Sequence, residues 1–143
     1  MSQMYDESRR FGVVAVVVRD GLFLVICRSD TVIAPGMIAF PGGAVEGRES
    51  EAETLVREIR EELGVTITPV RRIWRSVTPW NVELAWWLGQ IDKGQTLKPN
   101  PAEVASTHWV SAEDMRKLPN LLESMHRFLD AMEMGQIDVN GGL

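Results

Sequence analysis

The sequence predicts an α/β fold in which a mixed β-sheet carries helices packed on its faces. Three observations lead to it. Two valine- and leucine-rich runs near the N-terminus are joined by a tight turn signal, Asp20-Gly21. A capped amphipathic helix follows between Ser50 and Gly64. Further strand-like runs then resume before a second amphipathic helix.

In chain order, Phe11 to Arg19 reads as a buried strand and Leu22 to Arg28 as its return. Ser29 to Met37 is a loop punctuated by Pro35-Gly36. Ile38 to Phe40 is a short apolar stretch that runs into Pro41-Gly42-Gly43. Ser50 and Glu53 form a capping-box pair that starts the first helix, and Gly64 ends it. Ala52, Leu55, Val56, Ile59 and Leu63 recur at helical spacing and define its core face. Val65–Val70, Arg72–Val77 and Val82–Gln90 read as strands. The loop Gly94–Pro101, a short strand His108–Val110 and one or two helical turns in Ser111–Lys117 come next. Asn120–Met134 is the second helix, stopped by Gly135. The pattern predicts a single domain over 1–143, with 136–143 as a frayed tail.

Composition narrows the class. The 143 residues are 45% hydrophobic and 24% charged, as expected of a soluble globular chain. No apolar run reaches the roughly 20 residues of a membrane helix. The first ten residues are polar and charged, so a cytoplasmic location is expected rather than a secretory leader. The net charge of −5 includes no basic block, which argues against duplex nucleic acid as partner. A small polyphosphate stays open, because a metal ion reconciles an acidic pocket with an anion. Cys27, alone in an apolar run, is expected to act as a small buried hydrophobe. One Cys and two distant His, His108 and His126, do not supply a zinc site.

Chemistry concentrates on the first helix. Glu61 and Glu62 fall about 60° and 40° either side of Glu58, so three carboxylates share one stripe. Such a stripe can be a solvated acidic face relieved by Arg57 and Arg60, or a hard-cation site. Gly42-Gly43 ahead of the helix can be an ordinary turn, or a turn that leaves backbone open to a ligand.

The stretch GAVEGRESEAETLVREIREELGV resembles the Nudix box. Gly43, Glu49, Arg57, Glu58, Ile59, Glu61, Glu62, Gly64 and Val65 occupy its defined positions, and none departs from it. The resemblance implies a Nudix-type α/β/α sandwich. It implies hydrolysis of a nucleoside diphosphate linked to another group X, with Mg²⁺ or Mn²⁺ as cofactor. By position, Glu58 and Glu62 match the principal metal ligands, with Glu61 beside them and the Gly42 carbonyl as a further ligand. Arg57 matches the residue that orients the carboxylates, and Glu49 its ion-pair mate. Glu103, six residues before Trp109, matches a loop glutamate that binds metal or acts as base in relatives. It is equally readable as an exposed loop acid. Glu58, Glu61 and Glu103 all remain candidates for the general base.

Substrate marks lie outside the box. The tyrosine typical of diadenosine polyphosphate types has no counterpart, since the only tyrosine is Tyr5. Pro79 falls 14 residues beyond Val65, one short of the proline of ADP-ribose types. The chain is similar in length to MutT-like nucleoside triphosphate pyrophosphatases. That type places an arginine near the nucleotide 12 residues before the FPGG phenylalanine, as Arg28 stands before Phe40. Arg28, Phe40, Gly43 and Asn120 are therefore the substrate-side candidates. Asn120 stands either as a base reader or as the N-cap of the second helix. Trp86 and Trp87 should face opposite sides of their strand. Trp74 and Trp80 lie in or beside strands, and stacking of one tryptophan on a base stays open. The expected reaction converts a nucleoside triphosphate, oxidised or not, to monophosphate and pyrophosphate. The alternatives are an ADP-ribose or nucleotide-sugar pyrophosphatase and a non-catalytic nucleotide-sensing module. The expected partner is a small nucleotide, and a homodimer is left open.

Overall fold

The architecture, seen in a computed structural model that describes residues 8–140, follows from one strand that serves two sheets. The valine-rich run is β1 (Arg10–Val16) and, after Val17, β2 (Val18–Arg19). β1 lies between β5 (Gly42–Ala44), antiparallel to it, and β7 (Val82–Ile91), parallel to it. β6 (Ile67–Val77) completes this first sheet, in the order β5-β1-β7-β6. The second sheet is built on β3 (Leu22–Arg28), which pairs antiparallel with β2, β4 (Ile38–Ala39) and β8 (Val104–Val110). The expected mixed sheet is β5-β1-β7-β6, and an antiparallel sheet that the sequence did not announce stands beside it.

Period-two alternation sorts the side chains of both sheets to two helical layers. Val13, Ala15, Leu24, Ile26 and Ala85 face α1 (Glu51–Leu63) and join Leu55, Ile59 and Leu63 in one core. Val16, Phe23, Val25 and Trp86 face the other way. They meet Met115 of α2 (Ala112–Arg116) and Met125, Phe128 and Leu129 of α3 (Glu123–Glu133). The result is an α/β/α arrangement. Trp86 is buried among Phe40, Trp74 and Phe128, whereas Trp87 packs on the α1 side, as alternation requires.

Several boundaries move for physical reasons. The two strands expected over 65–77 are one, and the break in their alternation is two β-bulges against β7. β8 starts four residues before His108, at buried Val104. The cap of α3 is Leu122, so Asn120 is not its N-cap. The expected tail is described only as far as residue 140. Ile137 is buried, and the Asp138 carbonyl accepts from Arg71. Residues 141–143 and Tyr5 lie outside the described residues. Cys27 is half-buried rather than buried. No helix among the described residues is long and apolar enough to cross a membrane.

Candidate metal centre

α1 is held at both ends. The Ser50 hydroxyl accepts from the Glu53 N–H at 3.0 Å, and the Glu53 carboxylate accepts from the Ser50 N–H at 2.8 Å. Gly64, at φ 67°, closes the C-terminus. Leu55, Ile59 and Leu63 then bury against the sheets and fix the rotation of the helix. That rotation carries Glu58 and Glu62 inward as well. They are 8% and 6% exposed, which rules out a solvated acidic face for these two of the three glutamates.

Glu103, at the start of β8, completes the group. One carboxylate oxygen from each of Glu58, Glu62 and Glu103 lies within 4.8 Å of the others. A bulge aims Glu103: the β3–β8 register shifts between Cys27 and Arg28, where β8 carries the extra residue Ala105. β5 forms the floor. The Gly42 N–H donates to Glu62 Oε1 at 3.2 Å. A Cβ on Gly43 would stand 2.2 Å from Glu58 Cδ, and one on Gly42 2.1 Å from the Val13 carbonyl oxygen. Both glycines are therefore required by close approach, one of a carboxylate and one of a neighbouring strand.

Arg57 gathers the carboxylates around this group. Its Nε and Nη2 reach both Glu49 oxygens at 2.5 and 3.0 Å. Its Nη1 donates to Glu58 at 2.9 Å and to Glu61 at 3.1 Å, and Nη2 also donates to the Ala44 carbonyl. The guanidinium holds the Glu49 carboxyl down to about 2. Burial pushes Glu58 up, against the opposing pull of Arg57. Burial, reinforced by the charges of Glu58 and Glu103, pushes Glu62 up to about 8, against the Gly42 N–H and Arg28. Negative charge is therefore crowded at Glu58 and Glu62, and Arg57 relieves it only in part and only at Glu58.

An all-oxygen donor set of two buried carboxylates and one half-buried one suits a hard divalent cation, which would remove that crowding. The residues present fit Mg²⁺ or Mn²⁺. Glu61 stands apart from the trio, half-exposed and held by Arg57. Glu103 is tied into the fold, since its backbone carbonyl accepts from the Ser29 N–H.

The substrate-side candidates separate. Arg28 ends β3 and is close enough to oppose the raised pKa of Glu62, with its Nε on the Ile33 carbonyl at 2.6 Å. Phe40 is 4% exposed in the aromatic core with Phe23, Phe128 and Trp86, so its ring does not face a ligand. Asn120 donates to the Gly36 carbonyl at 2.9 Å and accepts from the Ile38 N–H through its backbone, which pins the β3–β4 loop. Two residues escaped the sequence reading. Ser29 and Thr31 both donate to the Ala102 carbonyl, at 2.9 and 2.7 Å, and clasp the loop that bears Glu103. Neither hydroxyl carries a sequence pattern that marks it.

A family model, the NUDIX domain, matches residues 8–132. The NAD-capped RNA hydrolase NudC of Stutzerimonas stutzeri (strain A1501) is 32% identical over 114 residues, covering 80% of this chain and 41% of its own. The CTP pyrophosphohydrolase of Escherichia coli (strain K12) is 45% identical over 56 residues, covering 39% of this chain and 42% of its own. The chain thus spans about two-fifths of the length of these two relatives. The solution structure of the E. coli ORF135 protein superposes with a TM-score of 0.70 at 26% identity, covering 89% of this chain and 90% of that one. Glu58 and Glu62 of the box meet Glu103, some forty residues further along the chain, in one carboxylate centre, and the family match runs through all three: the chain belongs to the Nudix family.

Proposed function

We propose that this chain is a divalent-metal-dependent pyrophosphohydrolase that cleaves a phosphoanhydride bond in a small nucleotide, a nucleoside diphosphate linked to X. The observation that carries the reading is the trio of buried Glu58 and Glu62 with half-buried Glu103, drawn to within 4.8 Å beside the Arg57 clamp. A structural role alone does not account for it, because three clustered carboxylates without a cation destabilise one another. Mg²⁺ or Mn²⁺ bound there would supply positive charge against the phosphates and a lowered pKa for the attacking water.

The chain's own groups divide the remaining work. Glu58 and Glu62 hold the cation, and the Gly42 backbone is adjacent as a further ligand. Arg57, anchored by Glu49, holds the Glu58 and Glu61 carboxylates in orientation. Glu61, Glu58 and Glu103 are the groups able to accept the water proton, and Glu61 is more open than Glu58. Arg28 is placed to meet substrate phosphate on the Glu62 side.

For substrate, we favour a nucleoside triphosphate cut to monophosphate and pyrophosphate. The similarity to a CTP pyrophosphohydrolase through 56 residues supports it. A dinucleotide pyrophosphate is the second reading, supported by the similarity to the NAD-capped RNA hydrolase over 80% of this chain. Both are tested by incubating the protein and Mg²⁺ with nucleoside triphosphates, NAD, ADP-ribose and nucleotide sugars, and identifying products. Inorganic pyrophosphate supports the first, two mononucleotides the second, and a sugar phosphate the ADP-ribose or nucleotide-sugar class. Glu58→Gln and Glu62→Gln are expected to lower kcat by 100-fold or more, on the order of the 3 kcal/mol that a lost charge-stabilising group costs. Retained activity in both variants would dismiss the proposed centre.

A further inference from the structure

Asn100 occupies the junction between the two elements that supply the carboxylate trio. Its backbone N–H donates to the Glu62 carbonyl at 2.8 Å, joining the loop to the last turn of α1. Its own carbonyl accepts from the N–H groups of Glu103 and Val104 at 2.9 and 2.8 Å, which starts β8. Its side chain makes two different bonds. Oδ1 accepts from the Ala102 N–H at 3.1 Å, while Nδ2 donates to Glu103 Oε2 at 3.3 Å. The first bond shapes the loop. The second reaches a carboxylate that has little reason to remain beside two others.

We infer that Asn100 is a positioning residue that holds the Glu103 carboxylate against Glu58 and Glu62. The inference rests on reading that trio as a metal centre. The physical reason is repulsion: Glu103, partly exposed at a loop–strand junction, would otherwise swing away from two buried like charges. A neutral amide donor holds one oxygen of Glu103 and leaves the other free, without competing for the cation as a lysine or arginine would. Ser29 ties the same segment to the end of β3, through its N–H on the Glu103 carbonyl and its hydroxyl on the Ala102 carbonyl. A residue that only shaped the turn would need Oδ1 alone.

Asn100→Asp separates the two functions, because it keeps the acceptor for Ala102 and replaces the donor facing Glu103 with a repelling oxygen. Asn100→Ala removes the donor without adding charge. The readout is Mn²⁺ affinity, measured by the electron paramagnetic resonance of free Mn²⁺, with melting temperature in EDTA as the check on folding. Both variants are expected to weaken Mn²⁺ binding about 10-fold, as loss of a partner that orients a ligand does. Asn100→Asp should keep its melting temperature. Combined with Glu103→Gln, neither substitution should weaken affinity further. Wild-type affinity in both Asn100 variants, with Glu103→Gln weakened, overturns the inference and leaves the metal-centre reading intact. Equal losses with and without Glu103→Gln also overturn it, since Asn100 would then act through α1. Unchanged affinity in Glu103→Gln also overturns the inference, since Glu103 then holds no cation, and leaves the centre to Glu58 and Glu62.

Discussion

Gly42 and Gly43 are adjacent and chemically identical, yet the structure gives them different work. An added methyl on Gly43 meets the carboxyl end of Glu58, a side chain that can move. On Gly42 it meets the Val13 carbonyl and the Val14 Cα, a backbone that cannot. Gly43→Ala is therefore expected to fold with a near-native melting temperature but lose Mn²⁺ affinity and activity, as Glu58 is displaced. Gly42→Ala is expected to lower the melting temperature instead, through separation of β5 from β1. Thermal melts and Mn²⁺ titration on both proteins separate these outcomes, and identical behaviour would sink the distinction. The glycine pair was legible as a feature of the sequence. Which atom each glycine makes room for was not, because Val13 and Glu58 reach it only after folding.

Helix α1 shows how far one element can be read ahead of its structure. The capping box, the Gly64 stop and the apolar positions Leu55, Ile59 and Leu63 are local rules, and each stands as the pattern predicts. The burial of Glu58 and Glu62 is not local, since β5 and the loop before β8 cover them. The first turn is also tied to the sheet: Glu51 accepts from the Trp87 indole at 2.8 Å and pairs with Arg72 and Arg75. Cap and core should then separate in mutation. Ser50→Ala removes an exposed cap and is expected to cost about 1 kcal/mol, with Mn²⁺ affinity kept. Ile59→Ala empties a fully buried site and is expected to cost about 2–5 kcal/mol. Urea unfolding of the two proteins measures both, and a larger loss in Ser50→Ala would contradict the assigned packing.

Across the whole molecule the site couples to stability through protons. Glu49, held down to about 2 by Arg57, contributes stability above its ordinary 4.5 that is lost as pH falls toward 2. Glu62 acts in the opposite sense. Between 4.5 and about 8 the folded metal-free protein keeps a proton that the unfolded chain has released, so stability falls as pH rises through that window. Glu58 shifts in the same direction as Glu62. The EDTA-treated protein is therefore expected to be most stable near pH 5 and to lose melting temperature toward pH 8.5. Saturating Mn²⁺ should restore the loss at high pH, because the cation binds only the native carboxylates. Melting curves from pH 4 to 9, with and without metal, check this. An alkaline melting temperature that does not fall in EDTA would show that Glu62 is not held in a crowded, buried site.

The sequence by itself determined the α/β class, the capped helix, the core positions and the spacing of the box, because turns, caps and amphipathic periods depend on neighbouring residues. Tertiary structure alone decided the split into two sheets, the burial of Glu58 and Glu62, the core placement of Phe40 and the hydrogen bonds of Asn100. These depend on strand pairing and on contacts between distant segments, such as the meeting of β8 with α1 across Asn100 and Glu62. A repulsive group of three carboxylates is stable in sequence only as a pattern. It becomes a site when the rest of the fold holds the charges together.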